Sequence, residues 1–428
     1  MRICKTHFSV LCKLVSIPIL SGVAGILLLA IVFALPTGRM WKNVKRSLPV
    51  LSQEHDYFSV TPSFPGTTLD NFSDAMYLNQ ALVGMKDAGF WKSVLGGCQY
   101  DVDTRLQQTE NLAAACAAPR RESLKQRSLR FFNGYQAVLK PLLLLGDLSS
   151  IRQLNLLFQF VLLVWLCLLM HKRHLDDYIP PFVLSILFIN PASVALCMAF
   201  SGFYYCMIIP CIVMLIANDR LKSGIAYWLF FDFVGACTFY FNMNYFQLVT
   251  FGVPLIFYFM LNGVPDSARG LLWTSVSLFA SWFIGYAGMM IFKWLVYAVT
   301  IDSCVFAEMI SNALFRASVA KNPDGTGSIP RIMGIVSNLI VALQNYWWCF
   351  GELIFVLYWM VKCFRKQTRL KISRTDLYLF LFMSLIVAGR LLIFANHVYI
   401  HCYYMYRILL IPILTFNILL VKACRKSD

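Results

Sequence analysis

Leu14-Val-Ser-Ile-Pro-Ile-Leu-Ser-Gly-Val-Ala-Gly-Ile-Leu-Leu-Leu-Ala-Ile-Val-Phe-Ala-Leu35 runs for twenty-two residues without a charge. As a helix rising 1.5 Å per residue it covers about 33 Å, enough to cross a hydrocarbon core of about 30 Å. Arg2, Lys5 and Lys13 precede it in the manner of a signal peptide. The run is longer than a signal core of about 7–15 residues, and no clear small-residue cleavage site follows, so it reads as an uncleaved first span.

The rest of the chain repeats that composition. Of 428 residues 59% are hydrophobic and only 14% charged, against about 45–50% and about 25% in soluble domains. Further spans are expected near 151–170, 178–193, 197–217, 225–241, 246–262, 270–298, 333–361, 376–394 and 405–421. The fold class is therefore an all-α integral membrane protein of about ten transmembrane helices, one polytopic domain over 1–428. Two segments between spans are long, 36–150 and 299–332. The first holds amphipathic helical stretches, including one from Asn71 to about Lys92. The second holds the turn formers of Lys321-Asn-Pro-Asp-Gly-Thr-Gly-Ser-Ile-Pro330.

Short loops rich in Lys and Arg face the cytoplasm. His171-Lys172-Arg173-His174, Arg220 with Lys222, Arg269, the run Arg365-Lys366-Arg369-Lys371-Arg374, and Lys422-Arg425-Lys426 fall on one side. The turns near 190–197, 242–246 and 395–404 carry neither residue and fall on the other. Both termini are thus expected in the cytoplasm of a multi-pass plasma (inner) membrane protein, with both long segments outside. Arg39, Lys42, Lys45 and Arg46 break the pattern, but long translocated segments are largely exempt from it. The net charge of +16 belongs to these loops. It does not imply a nucleic-acid partner, because no basic face is interleaved with aromatic residues.

Fourteen cysteines are scattered without metal-ligand spacing. Cys98 and Cys116 share the long outer segment and could pair in an oxidising compartment.

Chemistry is expected at the outer ends. In Leu69-Asp-Asn-Phe-Ser-Asp-Ala-Met-Tyr-Leu-Asn-Gln-Ala81, Asp70 suits a helix N-cap, while Asp74 stands in the first turn. A carboxylate held there could accept a proton from a sugar hydroxyl, with Asp74 the first choice as base and Asp70 the second. Ionisable residues inside spans are expensive and mark polar pairs or pathways. Lys293, Arg390 and Arg407, together with Arg152, are expected to gather round a lipid phosphate; interfacial anchoring or ion pairing with Asp232 or Glu352 is the plainer alternative. His397-Val-Tyr-Ile-His-Cys-Tyr-Tyr-Met-Tyr-Arg407 and the amides Asn242 and Asn244 could form a sugar subsite, with His397, His401 and Tyr403 foremost. An interfacial tyrosine belt is the alternative. The two histidines lack an evident third ligand, so no metal site is assigned; no cofactor is certain, and a divalent metal is possible.

Into the second span run Phe131-Phe-Asn-Gly-Tyr-Gln136, Lys140-Pro-Leu-Leu-Leu-Leu-Gly146 and Asp147-Leu-Ser-Ser-Ile-Arg152. Over residues 14–170 this arrangement resembles the polytopic lipid-sugar glycosyltransferases of the GT-C fold. There a large outer loop with an acidic residue near its start follows the first span. Asp70, Asp74, Tyr135, Pro141, Gly146 and Arg152 occupy comparable places, although many relatives carry two adjacent acidic residues rather than two four apart. The resemblance implies an inverting transferase at the outer face. It would use a polyprenyl-phosphate-linked sugar donor and a glycan or lipid acceptor, for cell-surface polysaccharide or glycolipid assembly. A carrier or flippase of lipid-linked saccharide, and a polymerase of such units, are the alternatives. A carrier would be expected to show broken or charged helices at mid-membrane in both halves, whereas the polar features here gather at the outer ends.

Overall fold

The computed structural model describes residues 2–118, 123–126, 129–241, 245–322, 326–365 and 372–424, with side chains from residue 9 onward. The chain is mostly helical. Seven helices are long and apolar enough to cross a membrane: Ser9–Phe33, Leu148–Lys172, Met198–Leu221, Ala268–Thr300, Tyr346–Arg365, Arg374–Ile393 and Cys402–Ala423. Shorter apolar helices stand at Gln136–Leu145, Ala226–Phe241, Val249–Asn262 and Met333–Leu343. The chain is a multi-pass membrane protein.

In order, α1 (Arg2–Phe33) leads to α2 (Gly38–Glu54), α3 (Asn71–Leu82), α4 (Met85–Ala88), α5 (Phe90–Leu95), α6 (Gln108–Ala117) and α7 (Gln136–Leu145). Two antiparallel pairs lie among them, β1 (Tyr57–Ser59) with β2 (Thr68–Asp70) and β3 (Cys98–Tyr100) with β4 (Leu124–Gln126). Then follow α8 (Leu148–Lys172), α9 (Ile179–Phe188), α10 (Pro191–Leu196), α11 (Met198–Leu221), α12 (Ala226–Phe241), α13 (Val249–Asn262) and α14 (Ala268–Thr300). The chain closes with α15 (Val305–Ala317), α16 (Met333–Leu343), α17 (Tyr346–Arg365), α18 (Arg374–Ile393), α19 (Ala395–Ile400), α20 (Cys402–Met405) and α21 (Leu410–Ala423).

Three expected elements are broken by local chemistry. The helix from Asn71 stops at Leu82 rather than Lys92, because Val83 is extended and Gly89 sits at φ 77°. The span expected over 178–193 divides at Asn190, whose left-handed backbone and side-chain cap to Ser193 N start α10 afresh. The span expected over 333–361 is two helices, α16 and α17, separated at Gln344–Asn345.

Connections gather at two ends. At one, Asp74 meets Met198, Tyr245 meets Asp70, Asn396 meets Ala320 and Tyr406 meets Gly66. At the other, Arg173 Nε donates to Leu215 O at 2.7 Å and Lys422 meets Asp376 at 2.7 Å. The turns poor in Lys and Arg thus share a side with both long segments, and the described basic loops share the other. Lys366, Arg369, Lys371, Arg425 and Lys426 lie outside the described residues.

The long segment is fixed to the spans by α2. Its buried face is Met40, Asn43, Val44, Ser47 and Leu51; Arg39, Lys42, Lys45 and Arg46 stay exposed on the opposite face. Cys98 and Cys116 are both free thiols, not a disulfide. The Cys98 Sγ donates instead to Lys92 O at 3.3 Å, and burial pushes both thiols up to about 11.

Between the spans, α12 and α14 pack through glycines. A Cβ on Gly235 would stand 1.9 Å from Trp282 O, and one on Gly285 would stand 1.8 Å from Asp232 O. Such close backbone approach is how membrane helices associate where hydrophobic burial gives no advantage over lipid.

Candidate functional site

The site is built around α3, eleven of whose twelve residues are buried. Asp70 starts it by accepting Ser73 N at 3.1 Å, which leaves one fewer of the orphan donors of a helix start. Asn71 donates to Glu54 Oε2 at 3.0 Å and to His55 O at 2.9 Å. Arg152 closes that network, with Nη1 at 2.9 Å from Glu54 and Nη2 donating to Asn71 Oδ1 at 2.9 Å. At the far end Lys140 Nζ donates to the carbonyls of Ala81 and Val83 at 2.7 and 3.2 Å. Gln136 donates to Tyr77 O, and Asn79 exchanges two hydrogen bonds with the Tyr100 backbone. Both ends of α3 are therefore held by polar groups from elsewhere in the chain.

The two aspartates have different surroundings. Asp74 is fully buried and accepts the backbone N–H groups of Met198 and Ala199 at 3.1 and 2.9 Å. The residue before α11, Cys197, offers that helix no side-chain cap, so Asp74 supplies one from α3 and places negative charge at the positive end of the dipole. Asp70 instead lines a cavity of about 810 Å³, which Asp74 does not. Tyr245 Oη lies 2.7 Å from Asp70 Oδ2 and from Ser73 Oγ, and Ser73 Oγ donates to Oδ2 at 2.9 Å. Burial raises the Asp70 carboxyl above its ordinary range, against the opposing hydrogen bonds from Tyr245 and Ser73.

The cavity lies between the long segment and α12, α14, α15, α18, α19 and the α19–α20 connection. Near Asp70 its walls are aromatic: Tyr57 and Tyr403 meet edge to face at 5.9 Å, and Tyr245 and Tyr404 at 4.9 Å. Beside that wall, with His401 stacked on Tyr404 at 5.2 Å, the lining continues through Arg130, Arg316, Arg390 and His397. Among the described residues none of these arginines forms an ion pair. Arg130 Nε, Arg390 Nη1, both His397 ring nitrogens and Tyr403 Oη are buried without a hydrogen-bond partner. Arg316 Nη1 lies 3.4 Å from His401 Nε2. Burial first, then the neighbouring His401 and three arginines, holds His397 well below its ordinary value; burial and then Arg316 push His401 down to about 4. Both imidazoles are neutral near pH 7, so the positive charge belongs to the arginines. These half-buried arginines have no carboxylate partner among the described residues, and a bound anion with several acceptor oxygens would complete them.

One wall descends along α14. Phe279, Trp282, Phe283, Tyr286, Met290 and Trp294 line the cavity, a helical stripe spanning about 22 Å at 1.5 Å per residue. The cavity thus joins a polar, cationic head end to an aromatic and apolar channel at bilayer depth.

Of the sequence-derived residues, Asp70, Arg390, His397, His401 and Tyr403 come together here. Arg152, Lys293 and Arg407 do not. Arg152 is neutralised by Glu54. Lys293 Nζ donates to Leu129 O and lies over the Tyr297 ring. Arg407 is fully buried and donates to Ile189 O, Gly66 O and Ser193 Oγ at 2.8, 2.9 and 2.8 Å. These three cations satisfy backbone and side-chain acceptors, a job that their isolation in the sequence does not distinguish from ligand binding. Asn242 and Asn244 lie outside the described residues. Sequence reasoning missed Arg130, Arg316 and Tyr245. Arg316 follows Phe315 on α15 with nothing local to mark it, and only the fold brings it to His401.

Comparison of the chain with protein-family models, with curated proteins and with solved structures finds no match.

Proposed function

We propose that the chain is a membrane glycosyltransferase that takes a sugar from a polyprenyl-phosphate-linked donor at the outer face of the membrane. The observation that supports this reading is one cavity holding Asp70, three arginines that form no ion pair among the described residues, and an aromatic wall descending to bilayer depth. A lipid phosphate fits that division: charge beside Arg130, Arg316 and Arg390, hydrocarbon along α14, sugar between the tyrosines and Asp70. Ten crossings, both termini in the cytoplasm and a location in the plasma membrane complete the reading, supported by the alternation of basic and uncharged connections between the two ends.

In the reaction an acceptor hydroxyl gives its proton to Asp70 while its oxygen attacks the anomeric carbon. The bond from that carbon to the donor phosphate oxygen breaks, and its electron pair leaves with the lipid phosphate. The arginines hold the charge that grows on the leaving group, and binding stronger in the transition state than in the ground state raises the rate. Attack opposite the departing phosphate inverts the anomeric centre. Asp70 is the preferred base because Asp74 is committed to the α11 backbone.

The test is transfer of labelled sugar from a polyprenyl-phosphate donor in membranes holding the wild type or Asp70→Asn at matched expression. Transfer by the wild type that the variant lacks supports the reading. No transfer from donors of this class to any acceptor in the host envelope, or equal transfer by both proteins, overturns it.

A further inference from the structure

The cavity that holds Asp70 has a further wall, formed by the stretch from β3 to the start of α6, to which the reaction above gives no task. Gln99, Asp101, Asp103, Thr104 and Gln108 line it. Side chains alternate along a strand: the Tyr100 ring packs on Trp41 at 5.6 Å, and Gln99 faces the other way, into the cavity. Two sets of hydrogen bonds fix this wall to α3. Asn79 holds the Tyr100 backbone with both of its amide atoms, each at 2.8 Å. Asp56 accepts Phe72 N through its carbonyl at 3.0 Å, and Gln108 N and Thr109 N through its carboxylate at 3.1 and 2.9 Å. The wall is thus held against the helix that Asp70 caps, with Gln108 joined through Asp56 to the residue two positions past Asp70.

What this wall lacks is a partner for an amide. Gln99 is fully buried, its Nε2 donates to Gln108 Oε1 at 3.1 Å, and its Oε1 has no partner among the described residues. Turning both amides over reverses that bond and leaves Nε2 bare instead. A buried amide atom left unmet is costly. A hydroxyl both donates and accepts, so it completes the amide in either orientation, whereas a carboxylate or phosphate oxygen completes only one. The two carboxylates, by contrast, already have cations: Asp101 lies 3.8 Å from Lys125, and Asp103 lies 2.7 Å from Arg105. They leave no call for a cationic ligand. They, and not Lys125 or Arg105, line the cavity, so an anionic ligand meets like charge there. Thr104 is exposed and Asp103 partly so, which opens this wall of the polar outer segment to water.

We propose that this wall is the acceptor subsite, and that it takes an uncharged saccharide whose hydroxyls bond Gln99 and Gln108 while one of them turns to Asp70. The acceptor role rests on the transferase reading above; the binding of saccharide to the wall does not. The acceptor then arrives from water on the β3–α6 side, while the hydrocarbon of the donor lies along the aromatic stripe of α14.

The purified full chain in nanodiscs would be exposed to diazirine-bearing trisaccharides of glucose, galactose, mannose and N-acetylglucosamine, each beside its uronate analogue, and the labelled peptides identified by mass spectrometry. A neutral probe should label the peptides that hold Gln99 and Gln108, its unlabelled parent should compete, and the uronate should label about tenfold less. Gln108→Leu should cut the labelling about tenfold, and Asp103→Asn should narrow the gap between neutral and uronate probes. Labelling of these peptides by no neutral probe, or equal labelling by the uronates, overturns the proposal without any variant. So does undiminished labelling in Gln108→Leu. Sugar transfer is measured on the same preparations. Transfer to an acceptor that labels other peptides overturns the subsite and leaves the transferase reading standing. Labelling as expected with no transfer from any polyprenyl-phosphate donor overturns that reading and leaves the saccharide-binding wall standing.

Discussion

Asp74 Oδ1 accepts the backbone N–H of Ala199 at 2.9 Å across 125 residues of sequence, while Oδ2 takes that of Met198 at 3.1 Å. A carboxylate so placed holds the start of α11 against α3. Replacing it with alanine leaves buried donors unmet, at about 1–3 kcal/mol for each orphaned group. Asp74→Ala should therefore lower the melting temperature in detergent markedly, and Asp74→Asn, which keeps one acceptor, by less. An Asp74→Asn protein that melts like the wild type yet is inactive would return the base role to Asp74.

Asp70→Asn should behave oppositely. Asparagine caps helices about as well as aspartate, so stability should hold to within about 1 kcal/mol. Loss of general-base assistance should cost about 10²–10⁴-fold in turnover. Melting curves and sugar-transfer rates on the same preparations separate the two effects.

Among the arginines, Arg390→Gln and Arg316→Gln should lower kcat/KM for the donor by about 10–100-fold, from about 1.5–3 kcal/mol per charged hydrogen bond. Both should keep near-native melting, because neither residue has an ion pair to lose among the described residues. Arg152→Ala should do the reverse. It leaves Glu54 without its cation, and breaking a largely buried pair costs about 3 kcal/mol, so thermal stability should fall before any change in donor KM.

Stability should also depend on pH through His401. Its folded-state value of about 4 lies below the ordinary 6.5, from burial first and Arg316 second. Between those values the unfolded chain binds more protons than the folded chain, so stability rises with pH across the window. The histidine's stabilising contribution is fully present above about pH 6.5 and is lost as the pH falls towards about 4. Melting temperatures over that range should rise less steeply with pH in His401→Gln than in the wild type, since the depressed His397 and the raised Asp70 carboxyl add their own, opposed, slopes to both proteins. An unchanged slope in the variant would assign it elsewhere.

Gly285→Ala should force α12 and α14 apart, since the new Cβ would meet Asp232 O at 1.8 Å. Overpacking of this kind costs about 1–3 kcal/mol or more. Gly389→Ala is the control, because nothing lies within 4 Å of a Cβ at that position. Thermal unfolding of the two variants should differ accordingly, and equal melting would show that the helix pair yields without cost.

Hydropathy was enough to identify the seven long membrane helices, because insertion depends on the summed apolarity of about 20 consecutive residues and each such window is local. The division of the connections into two ends was legible for the same reason, and so was Asp70 as the cap of α3, a bond to a residue three positions away. The tertiary structure alone decided which aspartate faces a cavity, because Asp74 is occupied by backbone donors more than a hundred residues distant. It also decided which cations are available. Arg152, Lys293 and Arg407 meet acceptors on remote segments, whereas Arg130, Arg316 and Arg390 converge on one cavity with no carboxylate partner among the described residues. Whether a buried charge already has a partner depends on which distant groups the fold places around it, and a single sequence does not carry those distances.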